Sequence, residues 1–373
     1  MLMTTRKAGE PPAAKASPSA AATPVASGRL RGQLASVQGR RLRNGLLALC
    51  ALLVLALLPT IYDQIFGFSA DFELHRVTFI GILIIAALAQ NILTGYAAQP
   101  SLGNAAFFGV SAYILAWLNT DLNQPYWLGI LVAMLVSALL GFVVGAPALR
   151  LSGVYLAIVT LGLVLVAGAL LNVWDTAAGR QSYELNNLPV ALTDDHVLYF
   201  MVFAIVVVII FLSYHLLRSR VGRAWVAIRD NEVAAEAFGV PVARYKLLAF
   251  VVSATLTGLA GALYATWATT ASSSMSSADQ TIAFLAMIVV GGLGSISGSV
   301  LGAIFVGLLP LLLGQLPDPF SIGPFQLQIS SLITLIYGLL LLLALIFFPT
   351  GLRSLGDYAK TAVQSLAQRG DKR

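Results

Sequence analysis

Long apolar stretches separated by short polar ones occupy most of the chain from residue 45 onward. An α-helix needs about 20 residues to cross the hydrocarbon core of a bilayer, and backbone in lipid has to satisfy its own hydrogen bonds. The pattern therefore predicts an all-α, polytopic integral membrane protein with about ten transmembrane helices. The predicted spans are 45–62, 76–96, 104–118, 126–147, 152–174, 197–217, 246–270, 280–294, 297–315 and 328–348.

The composition agrees with this fold class. Of the 373 residues, 58% are hydrophobic and only 10% are charged, whereas soluble domains carry about 25% charged residues. So few charges leave too little polar surface to solvate a globule. No span carries Asp, Glu, Lys or Arg near its centre, which disfavours coupling of transport to protons or ions. The single cysteine, Cys50, excludes a disulfide within the chain.

Three regions follow from the same pattern. Residues 1–45 are rich in Ala, Pro, Ser and Arg and are predicted to form a disordered, basic segment on the membrane surface. Residues 46–352 form the transmembrane domain, and 353–373 form a polar C-terminal tail. The first apolar run is interpreted as an uncleaved span, because its leader is long for a signal peptide and no small-residue cleavage site follows.

Lys and Arg are unevenly divided between the two sides of a ten-span topology. Of the 22 basic residues, 20 lie in 1–45, at Arg150, in 218–246 or after residue 350, whereas Arg76 and Arg180 lie on the other side. Basic loops mark the cytoplasmic side. Both termini and the loop 218–246 are therefore predicted to be cytoplasmic. The net charge of +6 is attributed to topology and to contact with membrane lipid, not to nucleic acid.

The loop 218–246 contains a short polar stretch, RDNEVAAEAFGVPVARYK, at residues 229–246. Asp230 or Asn231 is suited to cap the start of a helix, and Gly239 followed by Pro241 is suited to end it. The sequence predicts a rigid helix of about two turns. Its predicted apolar face consists of Ala235, Phe238 and Val240. Such a helix lies on the lipid surface or docks on a partner protein.

Small residues interrupt the spans in two places, Gly95 to Gly109 and Gly291 to Gly302. Glycines allow helix backbones to pack closely, and broken helices in two halves of a transporter can also line a substrate path. Both interpretations are open, and the positions of the breaks suggest an inverted repeat of spans 2–5 and 7–10. The candidate path residues are Asn91, Gln99, Ser101, Asn104, Gly291, Gly292 and Gly294.

Four stretches together resemble the bacterial ABC importer permeases for branched-chain amino acids, of the LivM type. They are GRAWVAIRDNEVAAEAFGVPVARYKLLAFVVSATLTGLAGALY at 222–264, LTGYAAQPSLGNAAFFGVSAY at 93–113, PALRLSGVYLAIVTLGL at 147–163 and MIVVGGLGSISGSVLGA at 287–303. The resemblance covers most of residues 76–352. It implies an inner-membrane subunit that forms half of a translocation path and works with a second homologous permease, two cytoplasmic ATPases and a periplasmic binding protein.

The resemblance also assigns the loop 218–246 as the element that couples the permease to its ATPase. The residues that carry this role over are Glu232, Ala235, Glu236 and Gly239. GGLGSISG lacks the Lys of a phosphate-binding loop. The partners would therefore bind ATP and Mg, and this chain would bind no cofactor. The sequence offers no catalytic cluster and no metal-ligand spacing, which predicts a transport subunit rather than an enzyme.

Some positions depart from the family pattern. Ala98 stands where a Gly is common, Pro100 replaces a Leu, and Asn104 stands where a His is common. Leu165 and Gly168 replace an acidic and a basic residue. These differences leave the cargo open between branched-chain amino acids and urea, short amides or aromatic acids. A secondary carrier or facilitator that works alone is the alternative from another class.

Overall fold

The computed structural model describes residues 70–151 and 153–313, together with the short pieces 320–322, 325–327, 335–339 and 343. The predicted segments 1–45, 45–62 and 353–373 lie outside the described residues. The α-helices are α1 (Ala70–Asn91), α2 (Asn104–Thr120), α3 (Tyr126–Ala148), α4 (Val154–Ala177), α5 (Asp195–Arg218), α6 (Arg220–Asp230), α7 (Glu232–Ala237), α8 (Val242–Ala268), α9 (Ala278–Gly291) and α10 (Ile296–Leu313).

Short elements complete the described chain. A π-helical turn, Ile92–Tyr96, continues α1, and 3-10 turns occupy Val190–Leu192 and Ser273–Met275. Two small antiparallel ribbons pair β1 (Tyr183–Glu184) with β2 (Thr270–Ala271), and β3 (Phe320–Ile322) with β4 (Phe325–Leu327).

The predicted class, a helical polytopic membrane protein, is confirmed. Among the described residues, six helical stretches are long and apolar enough to cross a membrane: Leu74–Tyr96, Tyr126–Ala148, Val154–Ala177, Asp195–Arg218, Val242–Ala268 and Ser273–Gly291. α2 and α10 match the predicted spans 104–118 and 297–315. The total of ten stays a prediction, because only 335–339 and 343 of the last span are described, all of them helical.

α8 is the central helix of the bundle and packs against α1, α2 and α3. Small residues make these close approaches possible. A Cβ atom at Gly258 would collide with Ser137 on α3, and one at Gly261 would collide with the Phe108 carbonyl on α2. α4 is peripheral by contrast, with only one face buried. Close packing of backbones therefore explains the glycines of the central helix.

The helix contacts of the two halves follow a parallel pattern, and the inverted repeat itself stays a prediction. α1 packs against α8, and each is followed by a non-helical segment and a shorter helix. In the first half, α2 packs on α3 and α3 packs on α8. In the second half, correspondingly, α9 packs on α10 and α10 packs on α1. The last member of the second half lies mostly outside the described residues.

Both halves are interrupted inside the bundle, at 97–103 and at 269–277. In the first interruption the Leu102 amide donates to Thr160 Oγ1 on α4 at 2.9 Å, and the Leu102 carbonyl accepts from Thr281 Oγ1 on α9 at 3.3 Å. α2 therefore starts from within the bundle. The segment 269–277 was predicted only as the boundary between two spans, and it occupies in the second half the place that 97–103 has in the first.

Candidate functional site

The loop between α5 and α8 consists of two helices, of which only the second was predicted. α6 begins at Ser219, whose hydroxyl accepts from the Val221 amide at 3.1 Å. Its Trp225 side chain is fully buried and donates through Nε1 to the Tyr245 carbonyl at 2.8 Å. This bond fastens the middle of the loop to the start of α8.

The caps predicted for the second helix, α7, are confirmed. Of the two candidate N-caps, Asn231 fills the position, with Oδ1 accepting from the Ala234 amide at 3.0 Å. Gly239 has a φ of +81°, a left-handed conformation that favours glycine, and its amide donates to the Glu236 carbonyl at 2.9 Å. The helix is short because both ends are fixed within nine residues of each other.

The apolar face predicted for α7 is wrong for two of its three members, because Ala235 and the partly buried Val240 both pack inward. Ala235 is only 4% exposed and packs against Ile228 and Val242. Phe238 is 89% exposed, and the other prominent apolar side chain is Val233, which is 77% exposed. The sequence did not reveal which side of so short a helix faces α6 and α8. Ala235 anchors α7, and Val233 and Phe238 are free to contact another molecule.

The loop is connected to the first interruption through Lys246. Lys246 Nζ lies 2.6 Å from Glu232 Oε1, and the Lys246 side chain is only 13% exposed. The Lys246 carbonyl accepts from Gln99 Nε2 at 3.1 Å. A chain of contacts therefore runs from the first turn of α7 through α8 to residue 99.

Arg229 makes a second connection from the last turn of α6. Its Nη1 donates to the Gly95 carbonyl at 3.3 Å, at the end of the π-helical turn. A Cβ atom on Gly294 would lie 2.6 Å from the same Nη1. Gly294 also has a φ of +71°. The guanidinium thus occupies the point where both glycine-rich breaks come together.

Asn91 joins the two breaks, which lie about 200 residues apart in the chain. Its Oδ1 accepts from the Gly294 amide at 2.9 Å, and its Nδ2 donates to the Ser295 carbonyl at 2.9 Å and to Ser299 Oγ at 2.6 Å. We call residues 91–95 and 291–299, together with the Arg229 side chain, the glycine junction. Every side-chain polar atom of Asn91 is used within it.

Close backbone packing accounts for the other glycines of the junction. A Cβ atom at Gly291 would collide with the Gly298 carbonyl, and one at Gly298 would lie 2.6 Å from the Gly291 carbonyl. Gly292, with a φ of +114°, ends α9 and turns the chain toward α10. The break at 291–302 is therefore a tight turn between two packed helices.

The remaining candidate path residues lie in the first interruption or at the start of α2 and are buried. The Ser101 carbonyl accepts from Gln90 Nε2 at 2.7 Å. Asn104 Nδ2 donates to Ser253 Oγ at 3.1 Å, and that hydroxyl donates to the Ala89 carbonyl at 2.8 Å. In this conformation Gln99, Ser101 and Asn104 hold α1, α8 and α2 together, and their side chains are shielded from solvent.

The serine-rich segment 269–277 was missed as a possible site. Ser276 Oγ donates to the Val164 carbonyl on α4 at 3.3 Å, and a Cβ atom on Gly168 would lie 2.6 Å from the Ser276 carbonyl. Asp175, one residue beyond the predicted fifth span, is also buried, and its Oδ2 accepts from the Tyr113 hydroxyl at 2.5 Å. A run of serines between two apolar spans is the signal that could have identified this segment.

The described part of the chain holds no group of three or more His, Cys, Asp or Glu side chains arranged to bind a metal ion. Its features are those of a helical membrane protein with paired, interrupted helices and a structured loop at one end. Residues 74–348 match the family described as branched-chain amino acid transport system, permease component. The chain belongs to this family.

Individual relatives agree with this assignment. The chain is 32% identical to the high-affinity branched-chain amino acid transport system permease protein LivM of Salmonella typhimurium and 33% identical to that of Escherichia coli. Each match covers 60% of this chain and 60% of the relative. A probable LivM of Methanocaldococcus jannaschii is 26% identical over 76% of this chain and 94% of its own length.

The chain therefore spans about 60% of the length of the two bacterial relatives that it matches. An L-arabinose transport system permease of Escherichia coli is 30% identical over a shorter region, 35% of this chain. No solved structure matches the sequence.

Proposed function

We propose that this chain is a permease subunit of an ATP-driven importer and forms half of the translocation path for branched-chain or related amino acids. It works with a second homologous permease, two cytoplasmic ATPase subunits that use ATP and Mg, and a periplasmic binding protein. The support is membership of the permease family together with the printed functions of the relatives.

The distribution of charge supports a cytoplasmic position for α6 and α7 in a bacterial inner membrane. Among the described residues, the basic side chains at the end of the bundle that carries these helices are Arg150, Arg218, Arg220, Arg223, Arg229, Arg244 and Lys246. Arg76 and Arg180 lie at the opposite end. This asymmetry, together with the predicted even number of spans, favours a cytoplasmic position for both the N-terminus and the C-terminus of the chain.

The contact of Arg229 with the glycine junction carries the proposed mechanism. α7 presents Val233 and Phe238 outward, and α6 and α7 are separated only by Asn231. A partner that moves α7 would also move Arg229 relative to the Gly95 carbonyl and Glu232 relative to Lys246. Movement of the ATPase would thereby reach both breaks at once.

The predicted coupling residues take distinct parts in this proposal. Glu232 pairs with Lys246, Ala235 anchors α7 on α6 and α8, and Gly239 ends the helix. Glu236 lies on the exposed surface, where an ATPase would meet it. The candidate path residues at the glycine junction would act as a hinge at the cytoplasmic end of the translocation path. The Asn91 side chain supports this role, because it is already bound to protein groups.

The experiment that tests the function is uptake into proteoliposomes that contain this chain, its partner permease and the two ATPases. Uptake of leucine or valine is expected only with ATP inside and the binding protein outside. Uptake by this chain without any ATPase would indicate a stand-alone carrier. Uptake of urea, short amides or aromatic acids in place of amino acids would overturn the proposed cargo.

The docking surface is tested in the same preparation. Phe238→Asp is expected to abolish co-purification of the ATPases, because it puts a charge on the most exposed apolar side chain of the loop. The matched control is Val190→Asp, which changes an 87% exposed side chain at the opposite end of the bundle. Equal ATPase recovery with both variants would contradict docking on α7.

A further inference from the structure

An open cavity of about 550 Å³, nearer to a surface groove than to an enclosed chamber, lies between α4 and the segment 269–277. Gly168, Ala169 and Asn172 form the wall on α4, and Ser273, Ser274 and Ser276 form the facing wall. Pockets for small molecules in proteins have volumes of about 300–1,000 Å³. The cavity is therefore large enough for a solute the size of an amino acid.

The cavity lies below the end of the bundle. Gly168 precedes the last residue of α4 by nine positions, or about 14 Å along the helix axis. Ser276, on the facing wall, reaches the Val164 carbonyl, and a Cβ atom on Gly109 would lie 2.7 Å from its Cβ. The neighbouring exposed side chains of α4 are apolar: Leu165, Val166, Leu170 and Val173. The cavity, which has some hydroxyl and amide groups in its walls, thus lies beside an apolar belt.

The lining contains hydroxyl and amide groups but no charged side chain. Asn172 Oδ1 lies 3.5 Å from Thr176 Oγ1, and the Asn172 side-chain nitrogen donates to none of the described residues. Ser274 shares a hydrogen bond with Ser272 at 2.7 Å and is exposed. Groups of this kind both donate and accept, so they suit a solute that has both donors and acceptors and no net charge.

One carboxyl group lies behind this wall. Asp175 follows Asn172 by three residues and is 5% exposed, and its Oδ1 has no hydrogen-bond partner among the described residues. Its other oxygen is held by Tyr113. An ionisable side chain buried in a membrane domain is an indication of function. A carboxyl oxygen without a partner can accept a hydrogen bond from the ammonium group of a solute.

From these features we infer that the cavity is a subsite for the polar head of an α-amino acid, in the half of the path nearer the binding protein. This inference rests on the proposed function and adds the location of the cargo. The Ser274 hydroxyl and the Asn172 amide nitrogen would hold the carboxylate, and the ammonium group would lie on the side of Asp175. Gly168 and Ala169 leave room for an aliphatic side chain.

Site-directed thiol labelling tests the subsite, because Cys50 is the only cysteine. In a Cys50→Ala background that retains uptake, Ala169→Cys and Ser274→Cys each place one thiol in the cavity. Leu170→Cys is the matched control, since Leu170 is exposed on α4 but does not line the cavity. The complete importer in proteoliposomes is treated with a charged, water-soluble methanethiosulfonate.

The cavity cysteines are expected to react at least about tenfold faster than the control, because only a hydrated thiol ionises to the reactive thiolate. Valine or leucine, delivered by the binding protein, is expected to slow this reaction by about fivefold, which corresponds to about 80% occupancy. Absence of labelling, or labelling that neither amino acid slows, would overturn the subsite. Protection by urea or benzoate alone would overturn the amino-acid assignment.

Uptake by the Cys50→Ala parent separates this inference from the proposed function. ATP-driven amino-acid uptake without substrate protection at Ala169→Cys and Ser274→Cys would contradict the subsite alone. Failure of the parent and of the wild type to transport any amino acid would contradict the proposed function, whatever the labelling shows.

Discussion

The two interruptions of the bundle occupy equivalent places in the two halves but differ in how their polar groups are used. At 97–103 and the first residue of α2, Gln99, Ser101 and Asn104 are buried and bonded to neighbouring helices. At 269–277, Ser273 and Ser274 line an open cavity. The first interruption holds neighbouring helices together and the second borders an open cavity, although the same kind of helix break underlies both. Under the proposed function, the first interruption would transmit force and the second would receive the solute.

Replacing Asn91, which lies beside the first interruption, and Asn172, which faces the second across the cavity, should show the largest difference between the two regions. Asn91→Leu removes three hydrogen bonds and leaves the Gly294 amide without its acceptor, so the free energy of unfolding should fall by about 3 kcal/mol. Asn172→Leu should change it by less than about 0.5 kcal/mol and should instead reduce uptake. Thermal unfolding in detergent measures the two changes in stability, and uptake is measured in proteoliposomes. An equal loss of stability in the two variants would contradict the distinction between the regions.

A pair of glycine substitutions tests the glycine junction. Gly294→Ala should cost about 2 kcal/mol, because the residue has a positive φ and its new Cβ would press on Arg229 Nη1. Gly162→Ala on α4 has nothing within 4 Å of the new Cβ and should stabilise the helix by up to about 1 kcal/mol. The melting temperature is expected to fall for Gly294→Ala and to rise for Gly162→Ala. A lower melting temperature for Gly162→Ala alone would contradict the packing described.

Arg229→Ala tests the link between the loop and the junction. Loss of its bond to the Gly95 carbonyl should reduce ATP-driven uptake about tenfold, equivalent to about 1.4 kcal/mol. The ATPases should remain bound and continue to hydrolyse ATP, because α7 is intact. Arg223→Ala removes an arginine of the same helix that donates to the Arg218 carbonyl instead, and uptake should stay within about twofold. Equal effects would refute the link.

The smallest effect is expected at Ala98, which has a φ of +51° although it is not glycine. Ala98→Gly should relieve the strain of a left-handed residue and raise the free energy of unfolding by about 0.5–1 kcal/mol. Chemical denaturation of the purified complex can resolve this gain. A decrease would mean that the first interruption takes another conformation.

Local patterns were sufficient for some parts of this structure. Apolar run lengths predicted the helices of the membrane domain, and Asn231 and Gly239 predicted both ends of α7, because capping depends on a few adjacent residues. The direction in which Ala235 faces could not be predicted, since it depends on Ile228 and Val242 from two other helices.

Contacts between distant parts of the chain were beyond the reach of such patterns. α6 was missed because its basic residues obscured a short apolar face that includes Trp225 and Ile228. The bonds of Asn91 to residues 294–299 leave no mark in the local sequence. The position of the serine segment inside the bundle likewise depends on distant residues, the glycines of α2 and α4 that provide space for Ser276.

The π-helical turn at Ile92–Tyr96 has a consequence for the tolerated length of the chain. A π turn accommodates one residue more than an α turn. Deleting one residue there would allow α1 to continue as a regular helix, but it would rotate everything beyond by about 100°. The Gly95 carbonyl would then turn away from Arg229. The extra residue sets the rotation of the membrane helix relative to the loop. Chains of this kind should therefore tolerate substitutions in this turn better than deletions, except at Gly95, where a Cβ atom would lie 2.5 Å from the Gly294 amide nitrogen.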